Sequence, residues 1–426
     1  MLGRYSVYAT NLVSMMVLAR LFTPELFGTT ASIMVFFVFF QLIAEAGLGP
    51  AIINLEKLDP QERDGLFGLT LVSGVTLAII FFFMAPLFQS FYQLSRVDEV
   101  VPYVAIALFF FAASIIPNAL LLREQAFFRV AHAGLAAELV STTLTVILFQ
   151  LVDPLHALAA KGALSAATSC MTLYYFSHRT EFGRPKLGSN FSAIKPLLSF
   201  SAYQFGFNFI NYFARNLDNI LVGKYLGAAS LGAYDKAYQL MRYPLMLLTF
   251  AMTPAIQPVV RKYSTDKEKV ESIHRDFTLK LSLIGAIVGL GVFLLAEWIV
   301  ALMLGAQWSN VTQIIKVLAI AIPVQVVLST SGSFFQAMNR ADLLFLSGFL
   351  SAIVIVSAII WGISQRDLIT LSWALVAAFH INFFQAYYIM YSRIFHKSSF
   401  GFFIRMTPAA SIIIGMVIWL KSSLGT

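Results

Sequence analysis

The sequence predicts an all-α integral membrane protein, with two parallel six-helix bundles around a central cavity and at least one extra carboxy-terminal helix. Three observations support this fold class: the composition, a series of apolar segments and an internal repeat. Of 426 residues, 59% are hydrophobic and 12% charged, whereas soluble domains contain about 25% charged residues. One soluble core cannot bury this excess, because cores stop growing beyond ~250–300 residues.

Thirteen segments are apolar enough to be membrane-spanning helices, which need about 20 residues to cross ~30 Å of hydrocarbon. None alternates with the period of a barrel strand. The first has no small-residue cleavage site after it and is interpreted as a retained span. We predict spans at 5–22, 29–48, 66–88, 101–122, 130–150, 155–177, 197–216, 230–258, 277–303, 311–335, 343–363, 369–392 and 406–421.

The distribution of Lys and Arg places the amino terminus in the cytoplasm, because inner loops of membrane proteins are enriched in these residues. In this orientation 19 of the 29 Lys and Arg residues lie in inner loops and four in outer loops. Topology therefore explains the net charge of +8, and no nucleic-acid partner is expected. The inner connection 261–276 is predicted to contain a small solvated helix. We predict a multi-pass protein of the cell (inner or plasma) membrane.

An internal repeat relates residues 18–31 to residues 222–235 at an offset of 204 residues. Each copy has a base at the end of one span, a short turn and a glycine that opens the next span. Arg20 aligns with Lys224, and Gly28 aligns with Gly232. The repeat predicts an N-terminal six-helix bundle over 1–178, a cytoplasmic basic linker over 179–196, a C-terminal six-helix bundle over 197–395 and an additional transmembrane helix over 396–426.

Several motifs that would indicate an enzyme or a metalloprotein are absent from the sequence. It contains no G-x-x-x-x-G-K-[ST] run for ATP hydrolysis, no G-x-S-x-G elbow and no histidine pair at i, i+4. The single cysteine, Cys170, excludes a cysteine-based metal cluster. The predicted outer loops are too short for a catalytic domain. We therefore expect a transporter, or a component that assists one, with neither enzymatic activity nor a cofactor.

The densest group of intramembrane charges lies in spans 7 and 8, and such charges mark binding sites or pathways by default. Bases outnumber acids there by four to two, which favours an anionic ligand. Mutual neutralisation, for example of Arg215 by Asp218, remains an alternative, as does extension of Lys224 to the headgroups. The candidate substrate-binding residues are Arg215, Asp218, Asn219, Lys224, Asp235, Lys236 and Arg242, with Arg20 as the repeat partner. Elsewhere, Lys161 is expected to snorkel and Glu138 to pair with a loop base.

Residues 18–28 (LARLFTPELFG), 45–53 (EAGLGPAII) and 215–244 resemble polysaccharide-exporting flippases of the Wzx type. Residues 215–244 are the most specific: they are similar to the family pattern R-N-x-D-N, a Gly-basic-x-x-Gly turn, L-G-x-Y, A-Y and a closing Pro. LGAQW at 304–308 resembles the family's outer turn after span 9. The resemblance covers most of the chain. It implies two six-helix bundles that move undecaprenyl-diphosphate-linked oligosaccharide to the outer leaflet by alternating access.

Two other functions remain open from the sequence. A multidrug or cation antiporter of the same superfamily would require acidic groups for its cationic drugs, and the excess of bases disfavours it. A non-transporting membrane component of a glycan assembly complex is the second alternative. For the flippase, the expected partners are the lipid-linked oligosaccharide and membrane lipids, with a polysaccharide polymerase and chain-length proteins as further candidates.

Overall fold

The computed structural model describes residues 2–45, 48–49, 52, 58–190, 212–213, 216–250 and 253–424, and within these ranges it contains helices and no β-strand. In the amino-terminal part the helices are α1 (Leu2–Leu21), α2 (Pro24–Glu45), α3 (Pro60–Phe83), α4 (Ala85–Tyr92), α5 (Val97–Arg123), α6 (Phe127–Leu148) and α7 (Pro154–Ser177).

After residue 211 the helices continue in the same manner. Helix α8 covers the helical residues 216–226. The following helices are α9 (Ala228–Phe250), α10 (Thr253–Lys262), α11 (Lys267–Leu294), α12 (Ala296–Met303), α13 (Val311–Ala319), α14 (Ile322–Ala337), α15 (Ala341–Ser364), α16 (Leu368–Met390), α17 (Phe400–Arg405) and α18 (Thr407–Leu424).

Among the described residues, seven helices are long and apolar enough to cross a membrane, or eight if one bent pair is counted as a single span. The bent pair is α13 and α14, which meet at 58°. Pro323 lies at this bend, in the first turn of α14. Because proline has no N–H to donate to a helical hydrogen bond, it interrupts the helix there. The predicted multi-pass membrane topology is confirmed, while predicted span 7 lies almost entirely outside the described residues.

The predicted small solvated helix in the connection 261–276 is wrong. Helix α11 begins at Lys267 and continues without a break to Leu294. The carboxylate of Asp266 accepts a hydrogen bond from the backbone N–H of Lys269 at 3.0 Å, which satisfies one of the free donors at the helix start. Val270 and His274 are fully buried. The frequent charges in this segment had obscured one apolar helix face.

The described chain forms two compact units. The first comprises Met1–Gly232 with Met303–Gln307, and the second comprises Ala233–Leu302 with Trp308–Thr426. In the first unit, α5 is the central helix and packs against α3 and α7. Because lipid is as apolar as these side chains, van der Waals packing holds such helices together. The bundle boundaries at 178, 196 and 395 stay predictions.

The described chain that follows α7 crosses the start of α3 without regular secondary structure, and we call residues 182–190 the strap. Arg63 donates a hydrogen bond to the carbonyl oxygen of Phe182, and the carboxylate of Asp64 accepts one from the N–H of Lys186 at 2.8 Å. The strap backbone then lies directly against Gly65 and Gly68 of α3. The strap is therefore fixed to the first unit by both polar and backbone contacts.

An ion cluster connects the start of α5 to the start of α7. The guanidinium of Arg96 lies 2.8 Å from a carboxylate oxygen of Glu99 and 2.7 Å from one of Asp153. Asp153 also accepts a hydrogen bond from the N–H of Leu155 at 2.9 Å, as the N-cap of α7. The hydrogen bond from Arg96 lowers the pKa of the Asp153 carboxyl below its usual value.

We expect Arg96→Gln to lower the thermal midpoint of the purified protein at pH 7, and we expect this difference to shrink as the pH falls toward 3. A carboxyl with a lowered pKa contributes stability above its unfolded pKa, and this stability disappears as the pH falls through the folded pKa. The measurement is the midpoint of both proteins from pH 7 to pH 3. Arg366→Gln is the control, since Arg366 is an exposed outer residue without an ion pair to any described carboxylate. A midpoint difference independent of pH would contradict the prediction.

Candidate functional site

The predicted substrate-binding residues fall into two groups, one in each compact unit. Arg215 lies outside the described residues, so its predicted pairing with Asp218 stays a prediction. The first unit contains Arg20, Asp218, Asn219 and Lys224, and the second contains Asp235, Lys236 and Arg242.

Lys224 lies near the end of α8 with an aromatic partner instead of a carboxylate. Its Nζ atom lies 4.2 Å from the ring centroid of Phe91 and 5.5 Å from that of Tyr225. Such contacts attract a cation to the ring without cancelling its charge. The described carboxylates make no ion pair with Lys224. Lys224 therefore lies beside α4 without a neutralising carboxylate among the described residues.

The contact between α8 and α4 is close because a glycine precedes Lys224. A Cβ atom on Gly223 would lie 2.9 Å from the ring of Tyr92, which is 2% exposed. The absence of a side chain at Gly223 lets the two helices approach, and this approach brings Phe91 under the ammonium of Lys224. Sequence reasoning did not find Phe91, because it precedes Lys224 by more than 130 residues.

Two other predicted residues of α8 are mainly enclosed by the protein. Asp218 is 7% exposed, and its carboxylate accepts a hydrogen bond from the N–H of Asn219 at 2.8 Å. The side-chain oxygen of Asn219 is buried and has no hydrogen-bond partner among the described residues. A buried acceptor without a partner is energetically costly, so Asn219 remains a candidate for contact with a ligand.

Arg20 lies at the end of α1, beside the LGAQW turn that the sequence had singled out. A Cβ atom on Gly305, which has φ +99°, would lie 3.4 Å from Cγ of Arg20. The amide of Gln307 donates hydrogen bonds to the carbonyl oxygens of Ala19 at 2.5 Å and Phe22 at 3.1 Å. These carbonyls end α1 and have no intrahelical donor. The turn 303–307 thus caps α1 and belongs to the first unit.

The two repeat glycines contact each other. A Cβ atom on Gly28 would lie 1.7 Å from the carbonyl oxygen of Ala228, and one on Gly232 would lie 1.9 Å from that of Pro24. Small residues permit such backbone approach between membrane helices. The glycine that opens α2 and the glycine near the start of α9 therefore form one helix-crossing point.

In the second unit, Lys236 is paired and Arg242 is not. Nζ of the buried Lys236 lies 3.1 Å from a carboxylate oxygen of Asp235, and Gln239 donates to the same oxygen at 2.9 Å. Arg242 is exposed and has no carboxylate within ion-pair distance in the described part of the chain.

The structure corrects the interpretation of two further intramembrane charges. Nζ of Lys161 lies 2.8 Å from a carboxylate oxygen of Glu138, so Lys161 does not snorkel and Glu138 does not pair with a loop base. Thr142 donates to the same carboxylate at 3.4 Å, and its hydroxyl lies 2.6 Å from that of Ser14. This chain of polar side chains joins α1, α6 and α7. Sequence reasoning missed this ion pair because its two charges are 23 residues apart in the chain.

The fold is similar to the folds of two solved membrane proteins. The structure of the lipid II flippase MurJ in an inward closed conformation has a TM-score of 0.71, with 13% identity and 100% of both chains covered. An inward-facing multidrug resistance MATE transporter has a TM-score of 0.68, with 13% identity and coverage of 95% of this chain and 94% of that chain. At these identities the similarity concerns the fold alone.

The sequence assigns the chain to a family. Residues 17–313 match the family described as "Polysaccharide biosynthesis protein", and the chain belongs to this family. It is 24% identical to the teichuronic acid biosynthesis protein TuaB of Bacillus subtilis (strain 168), over 81% of this chain and 71% of TuaB. It is also 24% identical to the lipopolysaccharide biosynthesis protein WzxC of Escherichia coli (strain K12), over 90% of this chain and 78% of WzxC. The predicted all-α membrane fold and the resemblance to Wzx-type transporters are confirmed.

Proposed function

We propose that this protein moves a lipid-linked oligosaccharide from the cytoplasmic to the outer leaflet of the inner membrane. The observation that supports this most strongly is the family match over residues 17–313, on a fold shared with a lipid II flippase. Relatives in the same sequence comparison include the succinoglycan biosynthesis transport protein ExoT of Rhizobium meliloti (strain 1021), which is 21% identical over 86% of this chain and 74% of ExoT. The substrate proposed for this chain has a diphosphate between lipid and sugar.

Lys224 and Arg242 are the proposed diphosphate-binding cations. Lys224 rests on an aromatic ring, and Arg242 is exposed, so both charges are available to an anion. The guanidinium of Arg242 can donate two parallel hydrogen bonds to phosphate oxygens. Lys236 is not part of this proposal, because Asp235 already neutralises it. Arg215 and Arg20 remain candidates from the repeat and the family resemblance.

A transport cycle requires that the substrate binds differently in two states, because a ligand with equal affinity for both shifts no equilibrium. We propose that each cation contacts the diphosphate in only part of the cycle. The sequence contains no ATP-binding P-loop, so the proposed cycle uses a gradient or substrate supply. A polysaccharide polymerase and chain-length proteins are the proposed partners that consume the translocated product.

The test is a flipping assay in vesicles that contain purified protein and an undecaprenyl-diphosphate oligosaccharide. We expect Lys224→Met and Arg242→Met each to slow flipping by about tenfold, because a charge-assisted hydrogen bond contributes roughly 1.5–3 kcal/mol. We expect the double variant to be slower still. The control is Arg366→Met at an exposed outer position. A double variant that inserts normally and flips at the wild-type rate would refute the proposed binding site, and wild-type protein that moves no lipid-linked sugar would refute the function.

A further inference from the structure

The second unit contains an apolar cavity that the proposed transport does not use. Its volume is about 220 Å³, and its walls come from α11, α14, α16, α17 and α18. Pro323, at the bend between α13 and α14, forms part of the wall. Ala410 of α18 also forms part of the wall. The cavity therefore joins the bent span to the carboxy-terminal helix.

His380 lies in the wall of this cavity with one ring nitrogen available. Its Nδ1 atom lies 2.8 Å from the carbonyl oxygen of Val376. A carbonyl can only accept, so Nδ1 holds the proton and donates, which makes Nε2 an acceptor. Nε2 is buried and has no hydrogen-bond partner among the described residues. A buried acceptor of this kind favours a ligand that brings a donor.

The rest of the lining defines the chemistry of the ligand. Ser282 already donates its hydroxyl to the carbonyl oxygen of Leu279 at 2.8 Å. The other lining residues are Pro, Val, Phe, Met, Ala and Ile, and none is Lys, Arg, Asp or Glu. An ion would be poorly solvated there, which excludes a phosphate group. The lining fits a neutral, mainly apolar molecule with a single hydrogen-bond donor.

The position of the cavity indicates how a ligand would enter. Phe384 and Ile414 line it, yet they are 51% and 57% exposed. Both residues belong to apolar helices, α16 and α18. The cavity thus reaches the surface of the unit between these two apolar helices. The ligand would therefore be a lipid-soluble molecule that enters from the bilayer.

We propose that this cavity binds a neutral, lipid-soluble molecule whose hydroxyl group donates a hydrogen bond to Nε2 of His380. An apolar cavity of ~150 Å³ is large enough to hold benzene, so a phenol with a short alkyl chain matches the available space. Because Pro323 forms part of the wall, an occupant contacts the bend directly. Binding would stabilise the bent form of α13 and α14 over other conformations.

The test uses two photoreactive probes in membranes that contain the full-length protein. One is an alkylphenol with a diazirine, and the other is its methyl ether, which has no hydrogen-bond donor. We expect the phenol to label the segments 380–384 and 403–414 about threefold or more above the ether, as one hydrogen bond predicts. His380→Leu is expected to remove this preference while retaining apolar labelling. Equal labelling by both probes in the wild-type protein would overturn the proposal.

A second variant tests the cavity itself. Ala410→Trp is expected to fill it and to reduce labelling by both probes. Gly415→Trp is the matched control on α18, because a Cβ at that position has no neighbour within 4 Å in the part of the chain that the structure describes. Stronger competition of labelling by unlabelled butylphenol than by butylanisole tests the hydrogen bond in the wild-type protein. Labelling that persists in a folded Ala410→Trp protein, or equal competition by both compounds, would contradict the proposal.

Discussion

Gly28→Leu is expected to prevent the first unit from folding. A Cβ at this position would lie 1.7 Å from the carbonyl oxygen of Ala228 and 2.5 Å from its carbonyl carbon. Both are backbone atoms, so no side chain can rotate away. Overpacking of side chains alone costs about 1–3 kcal/mol, and this collision would cost more because two helices must separate. The measurement is the amount of monodisperse protein after extraction from the membrane, together with its thermal midpoint.

Two further variants test whether the loss of folding comes from this helix crossing. Gly232→Leu is expected to have the same effect, since its Cβ would lie 1.9 Å from the carbonyl oxygen of Pro24. Gly162→Leu, within α7, is the control, because no atom of the described residues lies within 4 Å of a Cβ there. Gly28→Leu protein with a wild-type yield and midpoint would show that the two helices do not cross at these glycines.

Gly68→Leu is expected to detach the strap from α3. Its Cβ would lie 2.3 Å from the carbonyl oxygen of Gly188, and a Cβ on Gly65 would lie 1.8 Å from that of Asn190. The measurement is trypsin cleavage after Lys186 in vesicles with the cytoplasmic side exposed. We expect cleavage to be about tenfold faster, because proteolysis requires local release of the backbone.

Two further variants separate release of the strap from general unfolding. Asp64→Ala adds no volume but removes the acceptor for the N–H of Lys186, so we expect a smaller acceleration of cleavage. Gly401→Leu is the control, because a Cβ there has open space around it. Equal cleavage rates in the wild-type and Gly68→Leu proteins would mean that the glycine face does not hold the strap.

The positions of the helices were predictable because they depend on local properties. Apolar length alone located the described spans, and the low number of charges within them follows from the cost of charge in hydrocarbon. The repeat also identified Gly28 and Gly232 as equivalent positions. It did not predict that they touch each other, because equivalence in sequence gives no information about distance in space.

The candidate site was predictable only in part. The sequence indicated an excess of cations in spans 7 and 8, but it could not decide which of them retain their charge. Lys236 is neutralised by its own neighbour Asp235, whereas Lys224 rests on Phe91. The interpretation of 261–276 as solvated was wrong for a related reason, since charge density alone does not reveal which helix face is buried.

By itself, the sequence determined the membrane class, the helical segments and the kinship with polysaccharide exporters. These properties follow from the composition and from the order of residues within each segment, so they do not depend on contacts between segments. Only the tertiary structure decided the glycine crossing, the fixed strap, the Glu138–Lys161 pair and the available nitrogen of His380. Each of these depends on contacts between separate helices, or between a helix and a distant segment, and such contacts form only when the bundle packs.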